Sequence, residues 1–305
     1  MLRVVEAERL DGLAEDDPSA MRSRRDLRRI HIAMGTRSIL LSALRRLTFP
    51  PRAGRPLRVL ELGAGDGSLL LGVATKNLPG WSQVDLTLLD RQTLLDSATI
   101  ADYASAGWTA SAQIADVFDW VADASESRRR WDVIVTTLFL HHFENPQLTS
   151  LLRSVAARAD RFVACEPRRD RWALAGSHLV GAIGANAVTR EDAVLSVQAG
   201  FRDEELSHLW QACSADRGRG EPNRQAPESG ESKAWKPETE RQVTGQGKTG
   251  QVQRGEVERG QVETVPPKEA QREAGPSDTR QWNLREYSAG LFSHCFCVER
   301  ISVDG

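Results

Sequence analysis

Residues 59–69 read VLELGAGDGSL, an apolar run that ends in Glu61 and then passes into glycines at positions 63, 65 and 67. Glycine lets the backbone turn sharply and approach a ligand closely, and a helix starting just beyond the turn offers unpaired N–H groups. Turns of this kind after a strand cradle nucleotide-like molecules. The dinucleotide fingerprint spaces its glycines G-x-G-x-x-G. Here the spacing is Gly63-x-Gly65-x-Gly67, which is tighter and has an acid already on the strand. By itself the glycine pattern is a weak signal.

Other reactive side chains recur at matching places. Asp90 ends VDLTLLD, where a carboxylate can accept hydrogen bonds from both hydroxyls of a ribose. Asp116, in IADVFDW, follows a third apolar run at a place able to meet a purine amino group. Each acid also has a plain structural reading, Asp90 as a helix cap and Asp116 as a loop acid. His141 and His142 stand in LFLHHF, directly after the fourth run, WDVIVTT. Histidine titrates near neutral pH, so either can take a proton from a hydroxyl or carbon acid, or else orient the loop through hydrogen bonds. His178 sits in RWALAGSHLVGAIGANAVT, between the fifth run and the next helix, a place for substrate contact. Glu166, at the end of RFVACEP, reads as a base or as the partner of an arginine such as Arg168.

These residues need elements to position them. The runs LRVLEL, VDLTLLD, WDVIVTT and RFVACEP are apolar without alternation, as expected of parallel strands buried on both faces. Between them GSLLLGVATKNL, RQTLLDSATIADYASAG and NPQLTSLLRSVAARA carry helical patterns. Strand–helix alternation implies right-handed crossovers and a doubly wound sheet. In such sheets ligands bind at the carboxyl ends of the strands, where the glycines, Asp90, Asp116 and the histidine pair fall. TREDAVLSVQAGF suggests a helix capped by Thr189 with Asp192 three residues on, closed by Gly200. QWNLREYSAGLFSHCFCVERI reads as two strands around a turn at Ser288-Ala289-Gly290, an antiparallel close to the sheet. Residues 20–48 have helical spacing with arginines on the outer faces, one or two amphipathic helices that FPPRAGRP breaks. From about Cys213 to Arg280 the chain is rich in Gly, Gln, Glu, Arg, Lys and Pro, with Trp235 its single aromatic residue. So little apolar surface cannot offset the entropy of ordering, and the segment reads as a disordered insertion.

With these pieces assembled, the sequence resembles the class I S-adenosylmethionine-dependent methyltransferases. VLELGAGDG matches the family's E/D-x-G-x-G-x-G motif and Asp90 its ribose-binding acid; ADVFDW, WDVIVTTLFLHHF and RFVACEP fall where its later motifs belong. The histidine pair after the fourth strand is similar to the small-molecule branch that includes ubiquinone- and menaquinone-pathway enzymes. The resemblance implies a Rossmann-like α/β fold, a doubly wound seven-stranded sheet with an antiparallel C-terminal hairpin. Residues 1–54 then form an N-terminal helical extension, and residues 55–301 the methyltransferase domain, interrupted by the 213–280 insertion. It also implies roles. Gly63, Ala64, Gly65 and Gly67 line the methionine part of the cofactor, with Glu61 near its ammonium. Asp90 takes the ribose hydroxyls, Asp116 and Val117 meet adenine, and Thr137 and Leu138 lie beside the sulfonium. His141, His142 and His178 are the candidates for proton removal.

Composition narrows the partners. The chain has 305 residues and a formal net charge of -2, which leaves no basic footprint for a nucleic acid. Its apolar runs are far shorter than the roughly 20 residues of a membrane helix, and its N-terminus turns acidic too early for a signal peptide, so a cytoplasmic protein is expected. Cys165, Cys213, Cys295 and Cys297 show neither metal-ligand spacing nor a disulfide pattern and read as buried thiols, the last two on one strand face. Thr136-Thr137-Leu138-Phe139 replaces the Asn/Asp-Pro-Pro-aromatic tetrad of nucleobase amine methylation. No Pro-Cys nucleophile is present, and no carboxylate cluster suggests a magnesium site, so no metal is expected. What remains is O- or C-methylation of a small phenolic, quinone-like or polyketide-like molecule. Two rivals are a catalytically silent cofactor-binding module that recruits a partner through the insertion, and an NAD-dependent oxidoreductase. Nothing in the pattern specifies an oligomeric state.

Overall fold

The apolar runs become strands because their side chains find cover on both faces. In the computed structural model, which describes residues 1–50, 54–76, 78–215 and 281–301, β1 (Leu57–Leu62) lies between β2 (Val84–Asp90) and β4 (Val133–Thr137), parallel to both. Beyond them β3 (Trp108–Ile114) pairs with β2 and β5 (Arg161–Pro167) with β4, again parallel. Along β1, Leu57 and Val59 enter one core cluster while Leu60 and Leu62 enter the other. Val133 and Val135 likewise oppose Ile134, and Val163 and Cys165 oppose Phe162 and Ala164. Successive side chains point to opposite faces, so a strand covered on both sides must be apolar in both phases.

Two further strands complete the sheet. β6 (Trp282–Ala289) and β7 (Ser293–Arg300) form a hairpin, and β7 runs antiparallel to β5, giving the order β3-β2-β1-β4-β5-β7-β6. The expected seven-stranded, Rossmann-like sheet with an antiparallel close is therefore what forms. Its order reverses between β1 and β4, which opens a crevice at their carboxyl ends.

Helices cover both faces. On one side α2 (Thr36–Arg45), α3 (Ser68–Ala74) and α4 (Ser97–Ser105) contribute Leu40, Leu44, Leu70, Val73 and Tyr103 to the core. On the other, α5 (Val117–Ala122), α6 (Asn145–Arg158) and α9 (Glu205–Ala215) contribute Trp120, Leu148, Leu151, Leu152, Leu206 and Trp210. α1 (Pro18–Met34) packs on α8 (Ala187–Ala199), which packs on α7 (Arg171–His178). α1 begins with Pro18 behind Asp17, whose side chain accepts from Ser19 N and Ala20 N (2.7 and 3.1 Å), satisfying two of its unpaired donors.

Some boundaries differ from the sequence reading. The helical pattern drawn from Arg91 becomes a helix only at Ser97, because Asp96 caps it by accepting from Thr99 N (2.7 Å). α8 starts at Ala187, capped by Asn186, which accepts from Thr189 N (2.8 Å); Thr189 lies buried in the first turn and is not the cap. Asp192 faces away from that turn and accepts from Arg9 N and Leu10 N (2.8 and 3.0 Å). The insertion expected from residue 213 lies outside the described residues except for Cys213–Ala215, which continue α9, with Cys213 in the core. All four cysteines are buried thiols outside any disulfide, and Cys295 and Cys297 share one face as expected.

Gly200 ends α8 for a steric reason. Phe201 N donates to Pro167 O (2.9 Å), and a Cβ on Gly200 would lie 2.3 Å from that same carbonyl oxygen. Gly200→Ala is expected to destabilise the fold by about 1–3 kcal/mol through overpacking. The check is urea unfolding, where an unshifted midpoint would mean that the α8 end separates from β5 without penalty.

Candidate active site

The turn after β1 follows from its glycines. Gly63, Gly65 and Gly67 have φ of +67°, +55° and +70°, so left-handed residues alternate with ordinary ones. Side chains at those places would be strained, which explains the tight spacing. Gly63 N and Ala64 N donate to Leu89 O (2.9 and 3.1 Å), and Gly65 N donates to Asp90 Oδ2 (2.8 Å). Asp90 Oδ1 meanwhile accepts from Gln92 N (3.0 Å). The carboxylate at the end of β2 thus holds the turn at the end of β1.

A second construction stands after β4. Glu166, fully buried at the end of β5, accepts from Phe139 N, Leu140 N and His141 N (3.1, 3.0 and 3.3 Å). It also accepts from His141 Nδ1 (2.9 Å). Arg168 pairs instead with Asp170 (2.5 Å), so Glu166 is the anchor of the histidine loop. Leu138, just before the loop, has φ +54°, a strained backbone for leucine, with its N–H on Cys165 O (2.9 Å). On its other side His141 Nε2 faces Glu8 Oε1 (3.3 Å). Burial opposes a charge on His141, but the hydrogen bonds and charges of Glu166 and Glu8 win and raise its pKa to about 9. His142 Nδ1 lies 3.3 Å from Asp11 Oδ2, and burial together with the His141 charge lowers its pKa.

Both constructions open on one cavity of about 580 Å3, within the usual range for small-molecule sites. Glu61, Gly63, Ala64, Gly65, Asp90, Asp116 and Val117 line it, as do Thr137, Leu138, His141 and His142. Gly67 does not: it is packed beneath α4, where a Cβ would meet Leu95 Cδ1 at 2.9 Å, and its carbonyl accepts from Tyr103 Oη (2.7 Å). His178 does not either. α7 turns Ala173, Gly176 and Ser177 to the cavity, and the next residue is carried round to solvent. Asp116 is the N-cap of α5, accepting from Phe118 N (2.8 Å), while also reaching the cavity edge.

Sequence reasoning missed the N-terminal wall. Glu8 and Asp11 reach the histidines, and Arg24, Arg28 and His31 of α1 line the cavity. Arg28 pairs with Asp66 (3.0 Å). The segment before α1 is tied down by Arg3, which donates to Phe143 O and Ala199 O (2.9 and 2.8 Å). The early acidic stretch was visible, but its partner His141 lies 133 residues away, and no local pattern links them. Leu27, Ile30, Met34, Leu179, Val180, Ile183 and Phe292 add apolar surface to the wall. At the opposite end Glu61 is buried with Oε2 unpartnered; burial, then Asp66 and Asp90, push its pKa well above the carboxylate range. The Thr137 hydroxyl is likewise buried and unpartnered.

A methyltransferase-domain family matches residues 36–187, from α2 through the whole glycine turn and histidine loop to the start of α8. The chain belongs to the class I S-adenosylmethionine-dependent methyltransferases. No curated protein matches it in sequence. Among solved structures, this methyltransferase is similar to the plantazolicin methyltransferase BpumL in complex with a monoazolic desmethylPZN analog and SAH. The two share 20% identity over 66% of this chain and 72% of that one, with a TM-score of 0.46. An O-methyltransferase family protein from Burkholderia thailandensis aligns over 94% of this chain and 62% of that one (12% identity, TM-score 0.46). The mitomycin 7-O-methyltransferase MmcR aligns over 67% and 54% (17% identity, TM-score 0.41).

The methyltransferase's histidine loop has a titration signature. His141 has a folded pKa of about 9 against an ordinary 6.5. A raised pKa contributes stability that is complete below the unfolded value and fades as pH rises through the folded one. Stability measured by urea unfolding is therefore expected to decline between about pH 6.5 and pH 9. The same decline should be much reduced in His141→Gln; parallel profiles for the two proteins would contradict the charged-histidine reading.

Proposed function

We propose that this methyltransferase moves a methyl group from S-adenosylmethionine to an oxygen or carbon of a small, largely apolar acceptor of phenolic, quinone-like or polyketide-like character. The observation that carries the reading is Glu61: a buried carboxyl whose Oε2 has no partner, on the wall of a cavity that also carries a broad apolar surface. A buried acid without a partner is costly unless a ligand supplies one, and an ammonium is the natural partner. The glycine turn fits the same ligand, because a Cβ built on Gly65 meets no atom within 4 Å and that space is open cavity.

Roles for the other residues follow from their places. A carboxylate oxygen accepts more than one hydrogen bond, so Asp90 can keep Gly65 N and Gln92 N while taking two ribose hydroxyls. Asp116 and Val117, side by side at the cavity edge, suit an adenine. Gly63 and Ala64 flank the methionine part, and Arg28 and Arg24 are the cations on that wall. Thr137 and Leu138 lie between this end and the histidines, where the sulfonium belongs. The cofactor brings a methyl group on sulfur with a neutral thioether as leaving group, so the protein's task is chiefly alignment.

A hydroxyl acceptor must also lose a proton. His141, charged up to about pH 9, cannot accept it near neutrality. The pKa of His142 is lowered beside it, and Asp11 Oδ2 lies 3.3 Å from its Nδ1, so His142 is the base in this reading. Leu27, Ile30, Val180 and Phe292 give the acceptor an apolar surface. The likeness to ubiquinone- and menaquinone-pathway enzymes is supported by the residues after β4 alone, and leaves the acceptor at the level of its class.

Calorimetric titration with adenosylhomocysteine and NAD, side by side, tests the reading. Adenosylhomocysteine should bind and NAD should not. Asp90→Asn should weaken the former by about 1–3 kcal/mol, through lost charge-assisted hydrogen bonds. Preference for NAD, or an affinity indifferent to Asp90, would remove the assignment.

A further inference from the structure

We propose that Glu8, His141 and His142 form a binding site for a first-row divalent cation of the zinc type, at the acceptor end of the cavity. One ligand atom from each of the three lies within 4.8 Å of the others. His141 Nε2 and Glu8 Oε1 are 3.3 Å apart, which is about the edge of a tetrahedron with metal–ligand bonds of about 2.0–2.1 Å. The three thus need little movement to surround one ion.

The surroundings are those of ligands already oriented. Metal-bound histidines give their second ring nitrogen to a carboxylate, which fixes tautomer and ring direction. Glu166 Oε2 holds His141 Nδ1 at 2.9 Å, directing Nε2 at Glu8. Asp11 Oδ2 lies 3.3 Å from His142 Nδ1, an ion-pair distance on the second ring. Ser196 Oγ donates to the Glu8 carboxylate, and Arg3 and Asp192 tie down the segment that carries Glu8 and Asp11.

Charge points the same way. Glu8, Asp11 and Glu166 face the two rings, Glu8 and Glu166 on either side of the His141 proton and Asp11 also paired with Arg91 (3.1 Å). Binding an ion replaces that proton: Nε2 loses H+ to solvent and its lone pair goes to the metal, one proton released per ion. Imidazole and carboxylate together suit zinc, cobalt, nickel or iron(II) better than magnesium or calcium. Glu8, His141 and His142 all line the cavity, so a remaining coordination position opens towards the acceptor. If the reading above holds, an acceptor hydroxyl bound there loses its proton to solvent at lower pH, and His142 serves as ligand rather than base.

The test uses the tag-free, full-length chain titrated with Co2+, read by visible absorption, and with Zn2+ by calorimetry in two buffers of different ionisation enthalpy. The expected result is one ion per chain with about one proton released, and affinity lowered roughly 10- to 100-fold or more in Glu8→Gln and in His142→Gln. Circular dichroism confirms that both variants are folded. Wild-type protein that takes up no stoichiometric ion overturns the proposal, as does binding that both folded variants keep unchanged. Adenosylhomocysteine is titrated in parallel, so ion binding without nucleoside binding leaves the site standing while removing the methyl-transfer reading, and the converse removes only the site.

Discussion

A single buried carboxylate, Glu166, holds the reactive end of this molecule in shape. It sits at the end of β5, one residue beyond the Thr137↔Cys165 pair that brings β4 alongside. From there it receives three successive backbone N–H groups and one imidazole. A bare carboxylate in that position would be very costly to bury, and hydrogen bonds to a charged group are worth about 1.5–3 kcal/mol each. Four of them make the position tolerable and pin the histidine loop. They also account for Leu138: its left-handed backbone, costing of order 1–3 kcal/mol, persists because Cys165 O on one side and Glu166 on the other over-determine the turn.

The same constraint reaches the glycine turn by packing. A Cβ on Gly63 would lie 2.3 Å from the ring of Phe139, whose own N–H is on Glu166. The loops after β1 and β4, neighbours across the point where the strand order reverses, are therefore wedged together. Asp90 secures the turn from the opposite side through Gly65 N. The cavity floor is thus fixed from both flanks before any ligand arrives, which is what alignment of a transferred group requires.

How much of this the sequence discloses follows from the range of each interaction. The strands were legible because burial on both faces leaves continuous apolar runs, and the hairpin because Gly290 separates two of them. The turn was legible because alternating left-handed residues demand Gly63, Gly65 and Gly67, although the same pattern cannot tell that Gly67 points under α4 while Gly65 faces the cavity. Helix starts were read less well: RQTLLD has a helical pattern, yet Asp96 competes with it as a cap, and Asn186 takes the part expected of Thr189. Glu166 was singled out but not its role, since backbone donors leave no trace in residue types. The pairing of Glu8 with His141 depends on the whole sheet being assembled, and no periodicity records it.

Net charge hides the electrostatic character that results. The chain as a whole carries only -2, but Glu8, Asp11, Glu61, Asp66 and Asp90 all line one cavity. Arg28 answers Asp66, Arg91 answers Asp11 and the His141 proton lies between Glu8 and Glu166, while burial raises the pKa of Glu61. Fields inside a cleft with low-dielectric walls are focused rather than averaged. A cavity with acids at both ends therefore selects for positive charge at two places, the Glu61 end and the histidine corner. The acidic N-terminal segment, which by composition is merely polar, is what makes the second of those ends.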